Sequence, residues 1–211
     1  MIISNKYKFI WFFPVGHTAS TSLFFSMREE LYDDKDCRIG KGLLRGENTS
    51  KEYAGDPAAP IVLTKHMPTD VALESGLSEE KFYSYTKISV CRNPYTLMGS
   101  MMRKNIGVTH FSEKNIKSYL NTPWMFNTQN YNGQTSLLCD VDKIIKFEEL
   151  LKEFEKFKKD FLIEEDIPLV RYFRPHEHTE INYIENFTRD GINFMNERYA
   201  EDFEKLGYEK L

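Results

Sequence analysis

Apolar positions along this chain fall into two alternating rhythms. YKFIWFF at 7–13 is a continuous apolar run, the pattern of a strand covered on both faces. PVGHTASTSL then turns the chain, and from Ala19 to Leu31 the residues Leu23, Met27 and Leu31 recur every four positions, as on a helix. The same succession returns three times. IVLTKH (61–66) predicts a second strand, with Pro68 in the first turn of the next helix. YTKISVCR (85–92) predicts a third, broken by Asn93 and Pro94, and Pro94 opens a helix to about Lys104. DKIIKFE (142–148) predicts a fourth, followed by the amphipathic ELLKEFEKFKKDF. A tail from about Glu180 to Leu206 reads as one long helix closed by Gly207. Residues 33–60 are polar and rich in Gly, Asp and Lys, and read as a loop insertion; a second polar loop, WMFNTQNYNGQ, ends near 135. Strands alternating with helices predict one α/β domain over 1–211, a P-loop-like three-layer fold whose central, mainly parallel sheet is flanked by helices.

Composition narrows the function. The chain has 211 residues, 41% apolar and 28% charged, with a formal net charge of −4. That balance disfavours a broad nucleic-acid surface, so any basic site is a local cluster. Cys37, Cys91 and Cys139 are an odd set without a CxxC pair, which points to reduced thiols in a cytoplasmic protein and to no zinc site. The first apolar run is too short to span a membrane and lacks a signal-peptide cleavage site. Partners expected on these grounds are small molecules, with no nucleic acid and no membrane.

Two segments carry candidate chemistry. In a parallel α/β sheet, ligands gather where strands end and helices begin. There, unpaired N–H groups and the positive dipole end of the helix attract anions. The first strand feeds such a turn: Gly16 lets the chain bend, Thr18, Ser20, Thr21 and Ser22 bring hydroxyls, and Ala19 leaves the backbone approachable. The triphosphate-loop pattern G-x-x-x-x-G-K-[ST] is absent. The same residues also read as an N-capping cluster with no ligand. The second segment is VCRNPYTLMGSMM (90–102). Arg92 ends a strand and Ser100 lies eight residues on in the next helix; together they offer a charged fork and a hydroxyl to a phosphate, although Arg92 alone also reads as a partner for a surface carboxylate.

Together these segments resemble sulfotransferases that use 3′-phosphoadenosine 5′-phosphosulfate. TASTSL is similar to the family's 5′-phosphosulfate loop, and RNPYTLMGS to its 3′-phosphate motif. KIIKFEELLKEFEKF and the terminal RYAEDFEKLGY resemble later family segments, and TKHMPTDVALE resembles the histidine-bearing segment of the uronyl 2-O-sulfotransferase branch. The resemblance runs in order from about Tyr7 to Tyr208. It implies that His17, Thr18, Ala19, Ser20, Thr21 and Ser22 wrap the phosphosulfate, that Arg92 and Ser100 hold the 3′-phosphate, that His66 is the catalytic base, and that no metal is needed. Lys65 and His17 are the implied source of charge beside the sulfuryl group. Arg174, within the basic cluster Arg171, Arg174, His176 and His178, lies in the region that closes over the cofactor in the family, and the cluster equally reads as a polar surface loop; Trp124 and Tyr131 read first as local core, with stacking on adenine or a sugar as the alternative. The acceptor would be a hydroxyl, on a saccharide in the branch resembled.

Two departures stand out. His17 occupies a position where the family has Lys or Arg, and Leu97 one where it often has Arg. Two other readings stay open: a P-loop small-molecule kinase, and a nucleotide-binding module with weakened catalysis.

Overall fold

The structure is a computed structural model. It describes residues 1–28, 30–39, 61–63, 66, 69–122, 133–169 and 182–211. The first strands are β1 (Ile2–Ser4) and β2 (Phe9–Trp11), followed by α1 (Ser20–Arg28). β3 (Cys37–Ile39) and β4 (Ile61–Leu63) come next, then the short helices α2 (Thr69–Glu74) and α3 (Glu79–Ser84). β5 (Thr86–Cys91) leads into α4 (Pro94–Ile106) and α5 (Glu113–Leu120). β6 (Lys143–Lys146), α6 (Leu150–Asp160), α7 (Arg189–Arg198) and α8 (Ala200–Lys205) complete the described elements.

The architecture is α/β, with a small open mixed sheet in the order β1-β2-β5-β6. β2 pairs parallel with β5, and β5 with β6; β1 is an antiparallel edge on β2. The expected mainly parallel sheet is therefore present only in part. β1 went unforeseen because its apolar run is a bare three residues. The segment 33–60, read as a loop, contributes β3, which pairs parallel with β4 in a separate two-stranded sheet. The strand expected over 61–66 is thus three residues long and outside the main sheet. The tail is not one helix. A 3₁₀ turn at Ile184–Asn186 precedes α7, which ends at Tyr199 with φ −113°, outside the helical range, before α8 resumes. Gly207 closes it in the left-handed region (φ 66°), where glycine carries no Cβ penalty.

Burial follows the patterns. Trp11 and Phe157 are fully buried, with ring centroids 4.8 Å apart and nearly perpendicular, and Phe157 also meets Phe9 at 5.2 Å and Phe161 at 5.0 Å. This aromatic stack ties α6 to β2. A second cluster joins α4, α5, α7 and α8 around Tyr95, Phe111 and Phe203. The two meet along β5, where Ile88 and Val90 belong to the first and Cys91 to the second. No described helix is long and apolar enough to cross a membrane.

Because Phe157 touches four aromatic rings, Phe157→Ala is expected to cost about 3–5 kcal/mol of stability in urea unfolding. A loss below about 1 kcal/mol would show that the stack does not anchor α6 to the sheet.

Candidate functional site

The turn after β2 is built by its own backbone. Phe12 N–H donates to the Ile88 carbonyl at 2.8 Å, extending the parallel pairing one residue past β2. Thr18 Oγ1 donates to the Val15 carbonyl at 2.7 Å, so this hydroxyl closes the turn instead of facing a ligand. The left-handed positions are His17 (φ 60°) and Ala19 (φ 57°), with Thr18 between them outside that region; Gly16 is not among the glycines with positive φ. The expectation that Gly16 supplies the bend is corrected: a non-glycine pair does so. Successive N–H groups of such a turn can face one side and form an anion-binding concavity. The Ala19 carbonyl accepts the Leu23 N–H at 3.0 Å and starts α1, whose first turn contains no acidic residue. Its positive dipole end therefore lacks a carboxylate in that turn. Ser20 is buried at this end, and Thr21 and Ser22 are partly buried beside it.

The segment after β5 reaches the same place. Asn93 Oδ1 accepts Tyr95 N–H at 3.0 Å and caps α4, and Pro94 takes the first helical position, where a missing N–H costs nothing. Arg92 is left at the junction. Its Nη1 donates to the His17 carbonyl at 2.9 Å and its Nε to Thr96 Oγ1 at 3.1 Å. Its guanidinium lies 4.3 Å from the Phe147 ring centroid, with Tyr183 at 5.8 Å. Among the described residues no carboxylate is within ion-pair distance of Arg92. Ser100 Oγ lies 3.1 Å from His17 Nδ1. His17 thus joins both segments, through its carbonyl to Arg92 and through its ring to Ser100.

Burial, then the charges of Lys104, Arg92 and His66, push the His17 pKa down to about 3, so the ring is neutral at pH 7. Burial likewise lowers the Arg92 pKa, although an arginine stays charged at any ordinary pH. His66 sits across the turn with Nδ1 2.7 Å from the Phe13 carbonyl. A carbonyl only accepts, so Nδ1 carries the proton and the neutral ring's lone pair is on Nε2.

His66 and His17 are near enough for each charge to matter to the other, and Arg92 and Ser100 meet at His17. Lys65, Arg171, Arg174, His176, His178, Trp124 and Tyr131 lie outside the described residues. Leu97, noted for replacing an arginine, is buried in the second cluster. Thr96, Lys104, Gln134 and Phe147 were missed. Thr96, Ser100 and Lys104 do follow one another at four-residue steps, a helix-face signal readable from sequence.

In native protein His17 takes a proton only near pH 3, whereas the unfolded chain takes it near 6.5. Between those values the unfolded state binds the extra proton, so stability falls as pH falls through that window. His17→Gln is expected to flatten this dependence when urea unfolding at about pH 7 is compared with about pH 4.5. An equal fall in variant and wild type would acquit His17. The chain matches no family model, no curated protein and no solved structure.

Proposed function

We propose that this protein is a sulfotransferase on a P-loop-like α/β fold, moving a sulfuryl group from 3′-phosphoadenosine 5′-phosphosulfate to a hydroxyl acceptor. One observation carries the proposal: Arg92, partly buried and with no carboxylate of the described residues within ion-pair distance, converges with Ser100 on the left-handed turn that opens α1. A buried cation without an anionic partner is costly, and a ligand phosphate would supply one. A turn that favours one anion and an arginine that favours a second match a donor carrying phosphates at both its 5′ and 3′ positions.

The chemistry follows from the groups present. The acceptor oxygen attacks sulfur and forms the new O–S bond. The S–O bond to the 5′-phosphate breaks, and its electron pair leaves on the phosphate oxygen. The acceptor's proton goes to His66 Nε2, the basic nitrogen of a ring oriented by the Phe13 carbonyl. Backbone N–H groups of residues 17–22 and the α1 dipole stabilise the departing phosphate. Ser20, Thr21 and Ser22 add hydroxyl donors. His17 contributes no full charge at pH 7. If Ser100 donates to Nδ1, the His17 proton lies on Nε2, which is then a hydrogen-bond donor. Arg92 and Ser100 hold the 3′-phosphate.

Calorimetric titration with adenosine 3′,5′-bisphosphate and with ATP–Mg²⁺ tests the donor. Tighter binding of the bisphosphate is expected; tighter binding of ATP–Mg²⁺ would favour the kinase reading and sink this one. Arg92→Ala should weaken the bisphosphate by about 1.5–3 kcal/mol, the worth of a charged hydrogen bond, and unchanged affinity would remove Arg92 from the site. Against a panel of hydroxyl acceptors, His66→Ala should lower turnover about 10²–10⁴-fold with cofactor affinity nearly intact. A normal rate would exclude His66 as base.

A further inference from the structure

Sheet pairing on the β6 side of β5 stops at Cys91, opposite Lys146. Arg92 comes next, and a side chain takes over the ladder. Gln134 Oε1 accepts the Arg92 N–H at 2.8 Å, and Gln134 Nε2 donates to the Arg92 carbonyl at 2.6 Å. One carboxamide thereby satisfies both backbone groups of the residue, as a neighbouring strand would. Gln134 is itself fastened. Its N–H donates to Asp202 Oδ2 at 2.8 Å, while Asp202 Oδ1 accepts the Thr135 N–H at 2.8 Å and the Thr135 hydroxyl at 2.7 Å. Both Gln134 and Asp202 are 1–2% exposed.

We infer that Gln134, held by Asp202, is a positioning residue that sets Arg92 for the second phosphate of the ligand; this rests on the donor reading above. The guanidinium is located by the Thr96 hydroxyl, the His17 carbonyl and the Phe147 face, with Tyr183 farther off, and its reach to all of them depends on where the Arg92 Cα is. Gln134 fixes that Cα. It does so without touching a ligand, because the cavity beside Gln134 and Asp202, walled by Leu97, Met98 and Tyr199, has a volume of about 10 Å³, room for one water molecule. The adjoining residue is held from another side: Asn93 N–H donates to Glu148 Oε1 at 2.9 Å, and Tyr208 Oη donates to Glu148 Oε2 at 2.8 Å. Gln134 alone among the described residues grips both the N–H and the carbonyl of Arg92.

The test compares two ligands on the whole chain: adenosine 3′,5′-bisphosphate, and adenosine 5′-monophosphate, which lacks the group assigned to Arg92. Gln134→Met keeps the volume and removes both hydrogen bonds. It is expected to weaken the bisphosphate about tenfold and to leave the monophosphate within about twofold, the cost of one or two buried groups losing their partners. Asp202→Asn, which keeps the shape and removes one acceptor, should shift the same ratio in the same direction by about threefold. If Gln134→Met does not fold, the Asp202→Asn ratio decides. Equal weakening of both ligands would mean a structural role alone, and unchanged affinity for both would mean no role; either overturns the inference while the donor reading stands. Failure of the wild-type chain to bind the bisphosphate overturns both.

Discussion

A charged fork held at the end of a strand governs this molecule. Arg92 is partly buried, has no carboxylate of the described residues within ion-pair distance, and rests on an aromatic face, a placement that costs free energy unless its surroundings hold it. Three parts of the chain converge on its short segment. Gln134 grips the Arg92 peptide, Glu148 receives the Asn93 N–H, and Tyr208 Oη lies 3.5 Å from Cys91 Sγ while bonding Glu148. Burial drives the Cys91 thiol up to about 11 and raises the Tyr208 phenol well above its usual range, so both meet as neutral groups. Glu148 is a carboxylate whose charge reaches the guanidinium, but its oxygens are engaged with a backbone N–H and a phenol.

The opposite wall depends on the aromatic stack. Trp11 and Phe157 fix β2, and β2 fixes the start of the turn that reverses twice through the left-handed region. For residues with a Cβ that region costs roughly 1–2 kcal/mol each, and a packed strand beneath with a hydrogen-bonded Thr18 within holds them there. Strain at a functional turn is thus supported by an apolar foundation that takes no part in chemistry.

Much of this was legible along the chain because it is local. The strand break at Asn93, Pro94 at the first helical position and Arg92 at the strand end just before them follow from three adjacent residue types, and Leu23 and Met27 mark α1 by spacing alone. What escaped is long-range or marginal. Gln134 looks like any polar loop residue; its partners are 42 positions before it and 68 after. β1 and β3 are three residues long, too short for a periodic signal, and their existence depends on neighbours. The break at Tyr199 hides inside a sequence of good helix formers. His17 was visible as an oddity, but its neutrality was not, since the burial and charges that enforce it come from distant residues, Lys104 on α4, Arg92 just after β5 and His66.

The clamp on Arg92 has a consequence for which half of the core the site depends on. Its parts come from distant stretches, and two of them, Asp202 and Tyr208, lie on and just beyond the six-residue α8. α8 also carries the buried Phe203 of the second cluster, so Gln134 and Glu148 would be released only together with that packing. Trp11 and Phe157 belong to the other cluster. The setting of Arg92 is thus tied to the helical half of the core and not to the aromatic stack under β2.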